Sequence, residues 1–263
     1  MEDNKNSLSR KTFLKSSLLG GALLGLSPSA AWTEEKPILK EEEKGLCFLF
    51  QGDSITDGNR GRNEDPNHIM GHGYAFSVAS RVGADFPYAG FSFFNRGISG
   101  NTVSDLEQRW QKDTLDLKPD VLSVLVGIND VGALIEHWSE PKSVEEFEAG
   151  YRKLLTQCKQ QNPKILFILG IPFVFEVGSR KENWNLWKDE THARAEVVRE
   201  IAKDLDAVCI DFHALFENAS KLTPIDYWIW DGIHPTVFGH ELMAREWIKQ
   251  TATRLKFLRY YDY

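Results

Sequence analysis

Short apolar runs without an interrupting charge recur at residues 46–50, 91–94, 121–126, 165–169 and 207–210. Each has the length of one strand, and each is nearly continuously apolar instead of alternating with polar residues. That is the pattern of a strand buried on both faces, which requires helices on either side of a parallel sheet. Helical spacing fills the intervals. Val144, Phe147, Tyr151, Leu154 and Cys158 form one stripe that stops at Asn162-Pro163, and Ala193, Val197, Ile201 and Leu205 form another. Phe238, Leu242, Ile248 and Leu255 predict a long last helix. Strand and helix in alternation mean βαβ units with right-handed crossovers, hence a three-layer α/β domain. No Pro/Gly/Ser-rich linker divides the interior, so one domain is expected over residues 46–263, behind a charged lead-in at 32–45 that includes Glu41-Glu42-Glu43-Lys44.

Residues 1–31 read as an export signal. Arg10, Lys11 and Lys15 precede an apolar run at 18–26, and Ser29-Ala30-Ala31 offers a cleavage point. The run falls short of the about 20 residues that span a bilayer, so no stable membrane anchor is expected. Lys11 stands where a twin-arginine signal would have its second arginine. Removing the segment takes away four basic and two acidic residues, leaving 27 against 36 and a net charge of −9. Such a charge repels nucleic acid and anionic membranes, so neither is an expected partner. Cys47, Cys158 and Cys209 lack Cys-x-x-Cys spacing and read as reduced thiols, and the remaining histidines lack metal-ligand spacing.

In parallel α/β sheets the chemistry lies in loops beyond the carboxyl ends of strands. Gly52-Asp53-Ser54-Ile55-Thr56 follows the first predicted strand, Asn95-Arg96-Gly97 the second and Gly127-Ile128-Asn129-Asp130 the third, while Asp231-Gly232-Ile233-His234-Pro235 opens the last helix. A serine between a buried strand and a helix start has an exposed hydroxyl amid outward-pointing N–H groups. Asp231 and His234, three residues apart, supply a carboxylate to orient an imidazole and an imidazole to take the serine proton. Each piece also has a plain structural role: Ser54 or Asp231 as a helix cap, His234 before Pro235 as a loop histidine, Asn129-Asp130 as turn formers, Gly97 for backbone conformation. Asp53, Asp57 and Asp130 are expected to fix loops.

These four blocks, in this order, resemble the SGNH (GDSL) hydrolases, and they span most of the chain after the export segment. The resemblance implies a flavodoxin-like fold with a five-stranded parallel sheet and no metal or organic cofactor. It also implies Ser54 as nucleophile, His234 as base, Asp231 as its orienting carboxylate, and an oxyanion hole from the N–H groups of Ser54 and Gly97 with the Asn129 amide. Gly71-His72-Gly73-Tyr74, the stretch from Gly97 to Val103 and Gly127-Ile128-Asn129-Asp130-Val131 are similar to the acetylxylan-esterase branch. An acetylated carbohydrate is therefore the expected substrate, with a lysophospholipase or thioesterase as the alternative within the fold and a non-catalytic carbohydrate-binding protein outside it. Trp228 and Trp230, just before Asp231, and Trp184 and Trp187, in a polar stretch read as loop, offer rings for stacking on sugars or for packing on the sheet edge. The 57–70 loop either shapes the pocket or is a surface excursion.

Overall fold

The computed structural model describes residues 36–263, so the export signal read at 1–31 lies outside the described residues. Five strands, β1 (Cys47–Gly52), β2 (Ser92–Asn95), β3 (Val121–Leu125), β4 (Leu166–Gly170) and β5 (Val208–Ile210), form one parallel sheet in the order β2-β1-β3-β4-β5. Each strand overlaps a predicted apolar run to within two residues. The central strand β3 is buried throughout, whereas the edge strand β2 is half-buried.

Among the described residues, eight α-helices connect and cover the strands: α1 (Ser54–Asp57), α2 (Tyr74–Asp85), α3 (Val103–Asp113), α4 (Ile128–Glu136), α5 (Val144–Gln161), α6 (Trp184–Asp204), α7 (Phe212–Ser220) and α8 (Val237–Thr251). Alternate strand residues feed two apolar cores, one per sheet face. Phe48, Phe50 and Val121 meet α2, α7 and α8 on one side, while Leu49, Leu122 and Val124 meet α3, α5 and α6 on the other. Those are the three layers. Trp247 of α8, 1% exposed, rests on the sheet and donates its indole N–H to Ser123 Oγ at 3.0 Å, so its large ring is buried without an orphaned donor. Truncating such a ring to alanine typically costs about 3–5 kcal/mol.

Helix starts follow their capping chemistry. Thr102 and Ser143 close capping boxes with Asp105 and Glu146, and Asp211 and Thr236 cap α7 and α8. Helix α5 ends at Gln161, with Asn162 as its C-cap ahead of Pro163, where its spacing predicts a stop.

Three expectations change. The last helix stops at Thr251 and turns inward the face with His240, Met243, Ala244, Trp247 and Ile248, a larger continuous apolar surface than the predicted stripe; Phe238 stays half exposed, stacked on Tyr227. Leu255 lies beyond the helix, just before a 3-10 turn. The lead-in is not wholly solvated, since Leu39 inserts into the core and the Gly45 N–H donates to Ala89 O. Finally, Trp184 and Trp187 belong to the first turn of α6, with Trp187 buried in the core, which removes it as a sugar platform. Cys158 is buried, Cys47 and Cys209 are half-buried, and all three are free thiols.

Candidate active site

Strand β1 ends on Gly52 at φ +152, where a Cβ would come within 2.1 Å of Leu125 O at the end of β3, so only glycine lets the two strand ends approach. The chain then turns through Asp53, which caps α1 by accepting the Ile55 N–H at 3.0 Å. The capping role open to Ser54 is thus filled by its neighbour, and the Ser54 hydroxyl is left for chemistry. Ser54 Oγ lies 2.8 Å from His234 Nε2, and His234 Nδ1 lies 2.6 Å from Asp231 Oδ2. With Nδ1–H donated to the carboxylate, Nε2 presents its lone pair to the serine hydroxyl. Asp231 Oδ1 accepts the N–H groups of Ile233 (3.0 Å) and His234 (2.7 Å). Burial pushes the Asp231 carboxyl up, but these bonds and the His234 ring outweigh it and hold the pKa below the ordinary carboxylate value. The bond to Asp231 raises the His234 pKa against the effect of burial; Asp53 adds to the rise and Arg180 opposes it.

The expected glycine donor requires correction. The Gly97 N–H donates to Asn95 Oδ1 at 2.9 Å, and a Cβ on Gly97 would sit 2.4 Å from Asp57 N. Gly97 is therefore a close-packing glycine whose N–H is already engaged. Asn95 in turn donates its amide to Thr56 O and Met70 O, stitching β2 to the nucleophile turn. Three residues on, Gly100 has φ +84, open space around its Cβ direction, and an N–H with no acceptor among the described residues. Asn129, in the first turn of α4, donates its amide to Asn101 O at 3.2 Å, which places it beside that segment.

Sequence reading missed the residue that ties these loops together. Arg109 of α3 donates from Nε to Asn101 Oδ1 (2.7 Å), from Nη1 to Gln51 Oε1 (2.9 Å) and Arg96 O (2.7 Å), and from Nη2 to Gly52 O (3.3 Å), while pairing with Asp113 at 3.1 Å. Its only sequence signal is the four-residue spacing to Asp113. Asp57 is a second anchor, as expected of a loop-fixing residue. It accepts from both Arg62 nitrogens, from Arg60 N, and from Ser99 N and Oγ, and these bonds outweigh burial to lower its pKa. The 57–70 loop is thereby pinned next to the nucleophile. Asp53 and Asp130 are both buried, and burial pushes each to about 7. Asp53 Oδ2 has no partner, and Asp130 faces the Val103 N–H at the start of α3.

The acid–base loop is built differently. An antiparallel bridge between Ile229 and Pro235 and the bond from Trp230 N–H to His234 O fold it back on itself. Thr236, not Asp231, caps α8. Phe175 N–H donates to Gly232 O at 2.8 Å, and Gly232, at φ +94, has Phe175 O and the Arg180 stem where a Cβ would go. The Arg180 guanidinium lies 4.2 Å above the Trp187 ring and pairs with Glu136. Trp230 is 62% exposed, its ring 6.2 Å from that of His234 at 24°. Trp228 instead packs half-buried against the core, its Nε1 without a partner. Of the two, only Trp230 offers a face beside the base. His240 is structural: buried, depressed to about 4 by burial, and accepting the Tyr74 N–H.

Residues 50–242 match the GDSL-like Lipase/Acylhydrolase family, and the chain belongs to that family. It is 35% identical over 211 residues to the acetylxylan esterase of Geobacillus stearothermophilus, covering 78% of this chain and 94% of that protein. The crystal structure of that esterase superposes with a TM-score of 0.70 at 32% identity, over 79% of this chain and 94% of the other. A GDSL-like structure from Parabacteroides merdae gives a TM-score of 0.76 at 34% identity, over 81% and 98%. With these relatives and this fold, the chain is a carboxylester hydrolase of the SGNH type, resembling the acetylxylan-esterase branch.

Proposed function

We propose that this hydrolase is exported and removes O-acetyl groups from polysaccharides or oligosaccharides such as acetylated xylan, through an acyl-serine intermediate on Ser54. The observation that carries the chemistry is the continuous relay from Ser54 Oγ through His234 to Asp231, at 2.8 and 2.6 Å. In the first step Ser54 Oγ bonds to the ester carbonyl carbon as its proton passes to His234 Nε2. The bond between the acyl carbon and the sugar oxygen then breaks, and the sugar leaves as the alcohol, its oxygen taking that proton from His234. Water attacks the acetyl-serine, gives a proton to His234, and releases acetate once Ser54 Oγ recovers it. The Ser54 N–H, at the first position of α1 where no helical acceptor exists, and the Asn129 amide donate to the oxyanion in both steps. The Gly100 N–H takes the place expected of Gly97, because it is free and its loop adjoins Asn129.

The acetyl-saccharide assignment is supported by the similarity to the Geobacillus acetylxylan esterase and by the exposed Trp230 ring beside the base. Acetate release from acetylated xylan tests it directly. A p-nitrophenyl ester series separates it from a lipid acylhydrolase: a steep fall in kcat/KM from acetyl to octanoyl is expected, and a rise with chain length rules the saccharide reading out.

A further inference from the structure

A large cavity lies apart from the catalytic residues. It has a volume of about 710 Å³ and lies between the segment after β4, α6 and α7, and Ser54, Asp231 and His234 are absent from its lining. That volume is within the range of roughly 300–1,000 Å³ typical of small-molecule sites. Its walls include Trp184 and a face-to-face pair, Phe175 on His213, with centroids 4.8 Å apart and planes at 8°. Thr191 also lines it, 4% exposed, with an Oγ1 that has no hydrogen-bond partner. A helical threonine ordinarily returns its hydroxyl to the carbonyl four residues back. A buried hydroxyl without a partner, beside a cavity large enough for a ligand, is an unfilled hydrogen bond.

The charges around the cavity narrow the ligand's chemistry. Arg199 is engaged by Glu196 and Asp211 at 2.5 Å each, Lys188 lies 3.5 Å from Asp189, and His213 lies 3.8 Å from Glu217. The cations Lys188 and Arg199 are thus already paired, while Glu176, also on the wall, has no cationic partner among the described residues, so an anionic ligand finds no unpaired lysine or arginine. A neutral, hydroxyl-rich ligand with flat faces suits the aromatic walls and the Thr191 hydroxyl. The cavity wall also backs onto the catalytic loop, because Phe175 donates its N–H to Gly232 O between Asp231 and His234.

We infer that this cavity is a second saccharide-binding site, holding part of the sugar chain away from the acetyl group under attack. This rests on the carbohydrate reading of the active site. The test uses the full-length protein, Thr191→Val, which removes the hydroxyl at nearly constant volume, and Ser220→Trp, which fills the cavity from the exposed end of α7. Calorimetric titration with unacetylated xylohexaose is expected to show binding to the wild type, about tenfold weaker binding to Thr191→Val and none to Ser220→Trp. Turnover of p-nitrophenyl acetate should stay within about twofold, which certifies folding, while KM for acetylated xylo-oligosaccharides rises and kcat holds. Absence of xylohexaose binding to the wild type, or equal affinity in all three proteins, overturns the inference. So does a change of oligomeric state by light scattering in the variants with the titration unchanged, since the cavity would then be a subunit contact. Failure of the wild type to release acetate from acetylated xylan would overturn the carbohydrate reading itself, a separate result from deacetylation that is insensitive to the cavity variants.

Discussion

Ser54 and His234 meet at 2.8 Å, yet the chain holds them by contrasting means. The nucleophile turn is fixed from beneath by buried and half-buried polar groups: Asn95 donates to the Thr56 carbonyl, Asp57 gathers five donors, and Arg109 reaches Gly52, Arg96 and Asn101 together. The base lies in a loop whose side chains remain partly open, 37% exposed for His234 and 20% for Asp231, and it is held by its own backbone bonds and the contact with residues 175–180. The oxyanion must form at one place, which rewards a rigid nucleophile side built on strand ends. The base must admit an ester substrate and pass a proton twice, which suits a more open loop.

Breaking the shared bond has the largest expected effect. Ser54→Ala leaves the loops intact and should lower kcat by something on the order of a million-fold, by analogy with serine proteases, while thermal stability stays near that of the wild type. Asp231→Asn would leave the geometry but disturb the tautomer, for a loss of about 10⁴. Steady-state rates on p-nitrophenyl acetate measure both. Similar losses in the two variants would mean that the acid–base loop rearranges when its carboxylate charge is lost, sharpening the contrast between the two sides.

The rigid side has a cost that pH exposes. Asp53 is buried with one oxygen unpartnered, and its pKa is pushed from 3.8 to about 7. An acid raised in this way keeps its proton longer in the folded state than in the unfolded chain. The folded protein therefore holds more protons between about 4 and 7, and the Asp53 contribution to stability falls as pH rises through that window. The loss from this group is on the order of 4 kcal/mol by pH 8. Asp53→Asn preserves the cap oxygen and removes the charge. Its unfolding free energy should therefore depend less on pH than that of the wild type, with the two diverging most above pH 7. Parallel urea-denaturation curves at pH 5 and pH 8 check this, and an unchanged difference would mean that water or a partner reaches the second oxygen.

Next in size is the oxyanion side, where Asn129→Ala should lower kcat by about 10²–10³ with little change in KM. Gly97→Ala should instead lower the melting temperature, because its Cβ meets the Asp57 backbone. A fall in kcat at unchanged stability would restore Gly97 to the hole.

Much of this was legible in the sequence because burial on both faces writes parallel strands as nearly unbroken apolar runs. Ser54, Asn129, Asp231 and His234 all sit where the chain leaves a strand or approaches a helix, so their motifs could be placed at one sheet edge. The oxyanion glycine was not legible. Whether the Gly97 N–H is free depends on the side-chain angle of Asn95, which no spacing encodes. Arg109 was missed because its acceptors come from β1, the loop after β2 and its own helix, a convergence that exists only after folding. The start of α6 was missed for a local reason: Asn183 adopts a left-handed conformation at φ 56 and makes no side-chain cap, so Trp184 and Trp187 follow no recognisable helix signal.

Arg180 offers the smallest expected effect and the clearest test of the open side. Its stem fills the space over Gly232, its guanidinium rests on Trp187 and pairs with Glu136, and its charge opposes the rise in the His234 pKa. Arg180→Met keeps most of the stem and removes the charge. His234 must be neutral to accept the serine proton, so loss of a nearby cation moves the acidic limb of the kcat/KM profile to higher pH. Activity should fall a few-fold on the acid side and remain near the wild-type value on the alkaline side, where the imidazole is already neutral. A uniform loss across the pH range would indicate instead that the guanidinium holds the loop in shape. The base side would then depend on Arg180 for position, as the nucleophile side depends on Arg109, and the contrast between them would reduce to exposure.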